Sequence, residues 1–193
     1  FFLVHRKEFL QDVHHEIHRG EIVIQQDELE SSRGDGLGTD GFQQEAALLL
    51  LDRERELGIL AHVGDSRLYQ FRRGRILRQT RDHSLVQQLA DAGYGDAAQI
   101  RSHPRRNLLT SAIGAADPLE ISVSSQAFEV LAGDVFLLCS DGLTACLDDA
   151  EMARALSGGD LDAAADTLLQ AALGRQALDN VSLILVRAEA RGW

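Results

Sequence analysis

The chain has 193 residues, enough to bury a substantial core, and its 45% hydrophobic and 25% charged content is that of a folded globular protein. A formal net charge of -11 excludes a sequence-independent grip on nucleic acid, which needs a cationic face, and disfavours an anionic membrane surface. No apolar run approaches the roughly 20 residues that cross a bilayer, so no membrane insertion is expected.

The start, Phe1-Phe2-Leu3-Val4, lacks both an initiator Met and the layout of a secretory signal. The N-terminal part of a longer protein is therefore expected to be missing. Residues 8–18 place Phe9, Leu10, Val13 and Ile17 at spacings of three and four, which predicts an amphipathic helix stopped by Gly20. His14 and His18 would share a face of it, but no third ligand accompanies them, and a partly exposed helix surface accounts for them. Residues 21–25 predict a short strand, and the polar, Gly-rich stretch 27–40 a loop. Within it, residues 34–41 lack the Lys and the following Ser or Thr of a phosphate-cradling loop.

Residues 45–52 and 57–63 are apolar runs around a charged turn and predict a hairpin of central strands. Residues 67–71 continue as a strand, and a turn at 72–75 precedes Ile76 and Leu77. Ser84 or Asp82 would cap a helix over 85–92 that Gly93 stops. A second short helix fits 96–102, residues 120–125 alternate as a strand, and 129–131 flank a turn at 132–134. Residues 134–139 form the strongest apolar run, halted at Ser140-Asp141-Gly142 by what looks like a turn. Amphipathic helices are expected over 148–156 and 161–173, then a strand over 181–186. Cys139 lies inside its apolar run as a small hydrophobe, and with Cys146 it makes no disulfide framework, so a reducing cytoplasm is the expected compartment.

Three carboxylates stand at strand ends. Asp65 and Asp141 each follow an apolar strand, Asp179 precedes a third, and each has a small or turn-forming neighbour: Gly64, Gly142 and Asn180. Each alone is explained as a turn residue. If the strands are neighbours, the three converge on one sheet edge, where their mutual repulsion calls for hard divalent cations such as Mg²⁺ or Mn²⁺.

Five segments occur in a recognisable order: Gly64-Asp65-Ser66-Arg67, Arg81-Asp82-His83-Ser84-Leu85, His103-Pro104-Arg105-Arg106-Asn107-Leu108-Leu109-Thr110, Ser140-Asp141-Gly142-Leu143-Thr144 and Asp179-Asn180-Val181-Ser182. On these the chain resembles the metal-dependent Ser/Thr phosphatases of the type 2C (PPM) family, in their bacterial branch, over roughly residues 38–186. The resemblance implies an α+β fold, a four-layer α-β-β-α sandwich of two antiparallel sheets. It implies one phosphatase-like domain over 1–193, N-terminally incomplete, with a flap-like segment at 81–109. The implied activity is hydrolysis of phosphoserine and phosphothreonine in proteins by a metal-bridging water, without a phosphoenzyme. The implied cofactors are two Mn²⁺ or Mg²⁺ ions with a third, weaker site, and the implied partner is a protein phosphorylated by a Ser/Thr kinase.

Asp141 and Asp179 match the family's metal-ligand aspartates, and Asp65 matches the carboxylate of the additional, weaker metal. Gly142 and Asn180 would support the metal loops, and no catalytic side chain beyond the ligands is implied. Arg105 and Arg106 could meet the phosphoprotein, although a solvated basic turn explains them as well. The resemblance does not extend to the family's N-terminal features: a phosphate-holding Arg, an acidic pair and an Asp-Gly-x-Gly-Gly-His-type segment with a metal-bridging Asp. Two functions of different class follow. One is a phosphoprotein phosphatase; the alternative is a catalytically inactive relative acting as a regulatory interaction module.

Overall fold

The long apolar runs become strands because at least one of their faces is buried. The computed structural model describes residues 2–7, 20–29, 43–94, 108–114 and 119–190. In chain order its strands are β1 (Phe2–Lys7), β2 (Gly20–Leu29), β3 (Gln43–Asp52), β4 (Leu57–Val63), β5 (Arg67–Arg72), β6 (Arg75–Gln79), β7 (Ser122–Val123), β8 (Phe128–Glu129), β9 (Val135–Cys139) and β10 (Leu183–Ala188). Its helices are α1 (Leu85–Asp91), α2 (Asp141–Cys146), α3 (Asp149–Ala155) and α4 (Leu161–Gly174). One antiparallel sheet has the order β1-β10-β9-β5-β6; the other runs β2-β3-β4-β7, with β8 also paired to β4.

The central strand β9 shows why the sheets lie face to face. Phe136 and Leu138 point toward the second sheet and pack with Leu68, Ile184, Val186, Ala47, Leu49, Leu51 and Phe128. Val135, Leu137 and Cys139 point the other way, against Leu143, Met152, Leu161, Leu168 and Ala172 of the helical layer α2–α4. With no solvent face, the strand has no polar position. The α+β architecture of two antiparallel sheets agrees with the expected sandwich. Cys139 is fully buried and forms no disulfide, as a small hydrophobe should.

The helices start where their caps are. In the capping box of α3, Asp148 Oδ1 accepts from Glu151 N at 2.8 Å and Glu151 Oε2 accepts from Asp148 N at 3.0 Å. Asp160 caps α4 by accepting from the N–H groups of Asp162 and Ala163, and Ser84 caps α1 by accepting from Gln87 N.

Several sequence expectations are corrected. Residues 27–29 are not loop but the far end of β2, because β3 extends ten residues and offers backbone partners as far as Gln43. Residues 2–7, not foreseen as structure, form an edge strand on β10. In both cases backbone pairing overrides a weak local pattern. The strand expected over 120–125 shrinks to Ser122–Val123, paired with His62 and Ala61. Asp141-Gly142 is not a turn but the first turn of α2. The expected helices over 8–18 and 96–102 lie outside the described residues.

At the start of β9, Asp134 is completely buried and its charge is met in full. Oδ1 accepts from Arg72 Nε at 2.7 Å, and Oδ2 accepts from Arg72 Nη2 at 2.9 Å, Gln70 Nε2 at 2.8 Å and Leu131 N at 3.0 Å. Burial alone would raise its pKa; Arg72, Leu131 and Gln70 outweigh burial and hold it below the usual carboxylate range. The stabilisation this carries is present above the unfolded value near ~3.9 and is lost as pH falls through the lower folded value. Asp134→Ala should cost about 2 kcal/mol, by leaving the buried Gln70 amide without its acceptor and the partly exposed Arg72 without its main partner, and should weaken the acid limb of the stability profile. Urea unfolding at pH 7 and pH 3 checks this; equal stability of variant and wild type at pH 7 would refute it.

Candidate metal-binding edge

The candidate residues sit where strands from both sheets end together. β4 runs into Gly64, whose φ of +96° and lack of a side chain both matter. A Cβ there would lie 2.4 Å from Glu45 Cγ, because Glu45 is the next inward position on β3 and crosses directly over the turn. Glu45 is buried, and its Oε2 accepts from Asp65 N at 3.2 Å, Ser66 N at 2.8 Å and Ser66 Oγ at 3.1 Å. The Glu45 carboxylate thus holds the 64–66 turn and aims Asp65 inward.

Asp65 is 8% exposed, and its Oδ1 is buried with no hydrogen-bond partner. Burial first, then hydrogen bonding and repulsion from Glu45, then repulsion from Asp141 and Asp82 push its carboxyl up to about 10. Asp141 is therefore within electrostatic reach, delivered by β9 as the first residue of α2.

The Asp179–Asn180 loop packs against that same helix start. A Cβ on Gly142 would come within 2.3 Å of the Asn180 carbonyl oxygen and 3.3 Å of that of Asp179. Ser140 stitches the two segments together. Its Oγ donates to the Asn180 carbonyl at 3.1 Å and accepts from Ser182 N at 3.0 Å, while its N–H donates to the Ser182 carbonyl at 3.1 Å. Asp179 is exposed and accepts from Asn180 N through Oδ1 at 2.7 Å. It is the Asn180 main chain that places this loop.

A clasp supports the 64–67 turn from behind. Arg67 donates to Asp82 through Nε and Nη2, both at 2.7 Å, and to Tyr69 Oη through Nη1 at 3.2 Å. Gly64 N–H donates to His83 Nδ1 at 3.3 Å, so the ring proton is on Nε2, which donates to Ser122 Oγ at 2.8 Å. His62 stacks on His83 with centroids 4.6 Å apart and donates through Nε2 to the Arg81 carbonyl at 2.7 Å. Burial lowers both imidazole pKa values, and both rings act as neutral packing groups.

Of the residues singled out from sequence, Asp65 and Asp141 come within electrostatic reach of one another, and the loop carrying Asp179 touches Gly142. Arg105 and Arg106 lie outside the described residues. Among the described residues, no three His, Cys, Asp or Glu side chains are close enough together to hold one ion. The chemistry of the donors nonetheless fits a hard divalent cation: carboxylate oxygens only, one of them buried and unpartnered. Sequence reasoning missed Glu45, Ser140 and the two histidines. Glu45 had a signal, since it falls on the same alternation as the buried Ala47, Leu49 and Leu51 and is the one charge there.

Two antiparallel sheets face each other, with aspartates at strand ends along one edge. A PstP catalytic domain solved in complex with 2 manganese ions superposes with a TM-score of 0.71 at 20% identity, covering 98% of each chain. That likeness concerns the fold alone. No protein-family model matches the chain. The serine/threonine phosphatase stp of Listeria innocua is 36% identical over 129 residues, 66% of this chain and 50% of that one. PppA of Pseudomonas aeruginosa, a key regulatory component of T6SS, is 38% identical with a TM-score of 0.67, covering 78% of this chain and 60% of PppA. The chain belongs to the bacterial type 2C (PPM) family of protein phosphatases. It spans about half the length of the curated relatives it matches.

Gly142→Ala should push the Asp179–Asn180 loop away from α2 at a cost of about 2 kcal/mol. For a chain of this size that corresponds to a fall of roughly 4–8 °C in the thermal midpoint. An unchanged midpoint would show that the close approach is not a constraint.

Proposed function

We propose that residues 1–193 form one type 2C phosphatase-like domain of a protein that hydrolyses phosphoserine and phosphothreonine in proteins with the help of Mn²⁺ or Mg²⁺. The observation that carries this reading is the buried Asp65 oxygen with no hydrogen-bond partner, faced by Asp141 at the edge where β4 and β9 end. Asp141 and Asp179 would hold the principal cations and Asp65 a further, weaker one. When bound, such a cation supplies a Lewis acid that polarises phosphoryl oxygens and makes water nucleophilic near neutral pH.

The chain's own residues do the rest by position. Glu45 fixes the turn that presents Asp65, Ser140 fixes the separation of the Asp141 and Asp179 segments, and Gly142 permits their contact. Acidic groups gathered at one edge repel a phosphoryl group unless a cation neutralises that edge. The dependence on divalent metal follows from that electrostatics. The substrate would be a phosphoprotein made by a Ser/Thr kinase, met beside the 81–109 segment, with Arg105 and Arg106 as candidate contacts. The acidic surface fits no nucleic-acid role. No helix of the described residues is long and apolar enough to cross a membrane, and a cytoplasmic setting suits a kinase-opposing enzyme.

The protein should release phosphate from a phosphothreonine peptide with Mn²⁺ or Mg²⁺ and stop in excess chelator. Asp141→Asn should lower that rate about 100-fold or more, since even outer groups of metal sites cost 10–100-fold. Turnover that survives chelator would sink the metal dependence. Peptide binding without turnover in saturating Mn²⁺ would assign the chain to the regulatory interaction modules instead.

A further inference from the structure

We propose that Glu45 is a metal ligand, sharing a buried divalent-cation seat with Asp65, so that one ion ties β3 to the turn after β4. The inference rests on the metal-dependent reading above and adds a residue from a different strand.

Four observations carry it. Glu45 is 3% exposed on the inward alternation of β3, so its carboxylate is committed to the interior. Three donors from Asp65 and Ser66 converge on its Oε2, which locks the plane of the group. The Glu45 and Asp65 carboxyls lie within hydrogen-bonding reach of one another, and Asp65 Oδ1 is buried without a partner. Two oxygens on adjacent corners of an octahedral Mg²⁺ shell, each ~2.1 Å from the ion, are roughly 3 Å apart, the same range.

Among the described residues, the charges nearest the pair are acidic. The acidic neighbours Asp141 and Asp82 face Asp65, and Asp82 has already taken the fork of Arg67. His83 turns its Nδ1 lone pair to Gly64 N–H, and His62 gives its Nε2 proton to the Arg81 carbonyl. Two buried carboxylates in contact need a proton between them or a cation on them. Hard oxygen donors in a water-poor site, aimed from two directions, suit a small divalent ion.

The test is calorimetric titration of Mn²⁺ into the whole chain, wild type and Glu45→Gln, with thermal melts of each with and without Mn²⁺. Gln keeps a carbonyl oxygen for the three donors and removes the charge. Mn²⁺ affinity at one site should fall at least 10-fold in Glu45→Gln, and the Mn²⁺-induced rise in melting temperature should shrink. Equal affinity, stoichiometry and melting shift in the two proteins would overturn the role of Glu45 and leave the metal-dependent phosphatase reading standing. A wild type that binds no Mn²⁺ would overturn both. Should Glu45→Gln fail to fold, infrared spectra of the wild type decide the matter. Loss of the protonated-carboxyl band on adding Mn²⁺ supports the shared seat; its persistence at saturating Mn²⁺ overturns it.

Discussion

The structure depends on burying β9 completely. A five-residue strand with no exposed position can exist only if a sheet covers one face and helices the other, and both cores of the molecule meet on it. The polar groups at its two ends then have no freedom. At the start, Asp134 is sealed in and matched by Arg72, Gln70 and a backbone N–H. At the other end the chain leaves the core at Ser140 and Asp141, and the packing of Phe136, Leu137 and Leu138 carries that carboxylate to the edge. The stable end and the chemical end are two solutions to the same problem, a charge beside an apolar strand.

That constraint explains what could be read from the sequence. β3, β4, β5 and β9 were legible because burial on one or both faces writes itself into alternation or unbroken apolar runs. The helices α3 and α4 were legible from their amphipathic spacing. The far end of β2 and all of β1 were not, since edge strands are recruited by the backbone groups of β3 and β10, which leave no mark on side-chain pattern. Asp141-Gly142 was ambiguous because Gly there serves a close approach to the Asn180 carbonyl, not a turn, and only the fold brings those segments together.

The candidate edge was legible in part for a related reason. Aspartates that follow apolar strands stand out, whereas residues that position them do not. Ser140 looks like any strand-ending serine until Ser182 and Asn180 are beside it. Glu45 was present in plain view, a single acid on an inward alternation, yet a charge at the head of a strand is ordinarily read as a solubilising end. Its burial becomes intelligible only with Gly64 opposite and the N–H groups of Asp65 and Ser66 pointing at it.

The Ser140–Ser182 pairing prolongs the β9–β10 ladder one step past the strands themselves. Neighbouring strands in a sheet are held about 4.8 Å apart by main-chain geometry, whatever their side chains. The distance between the segments bearing Asp141 and Asp179 is thus measured out by peptide bonds and inherited by every sequence that keeps the ladder. Side-chain drift in the cores can soften the molecule without resetting that interval, so the edge carries its own ruler.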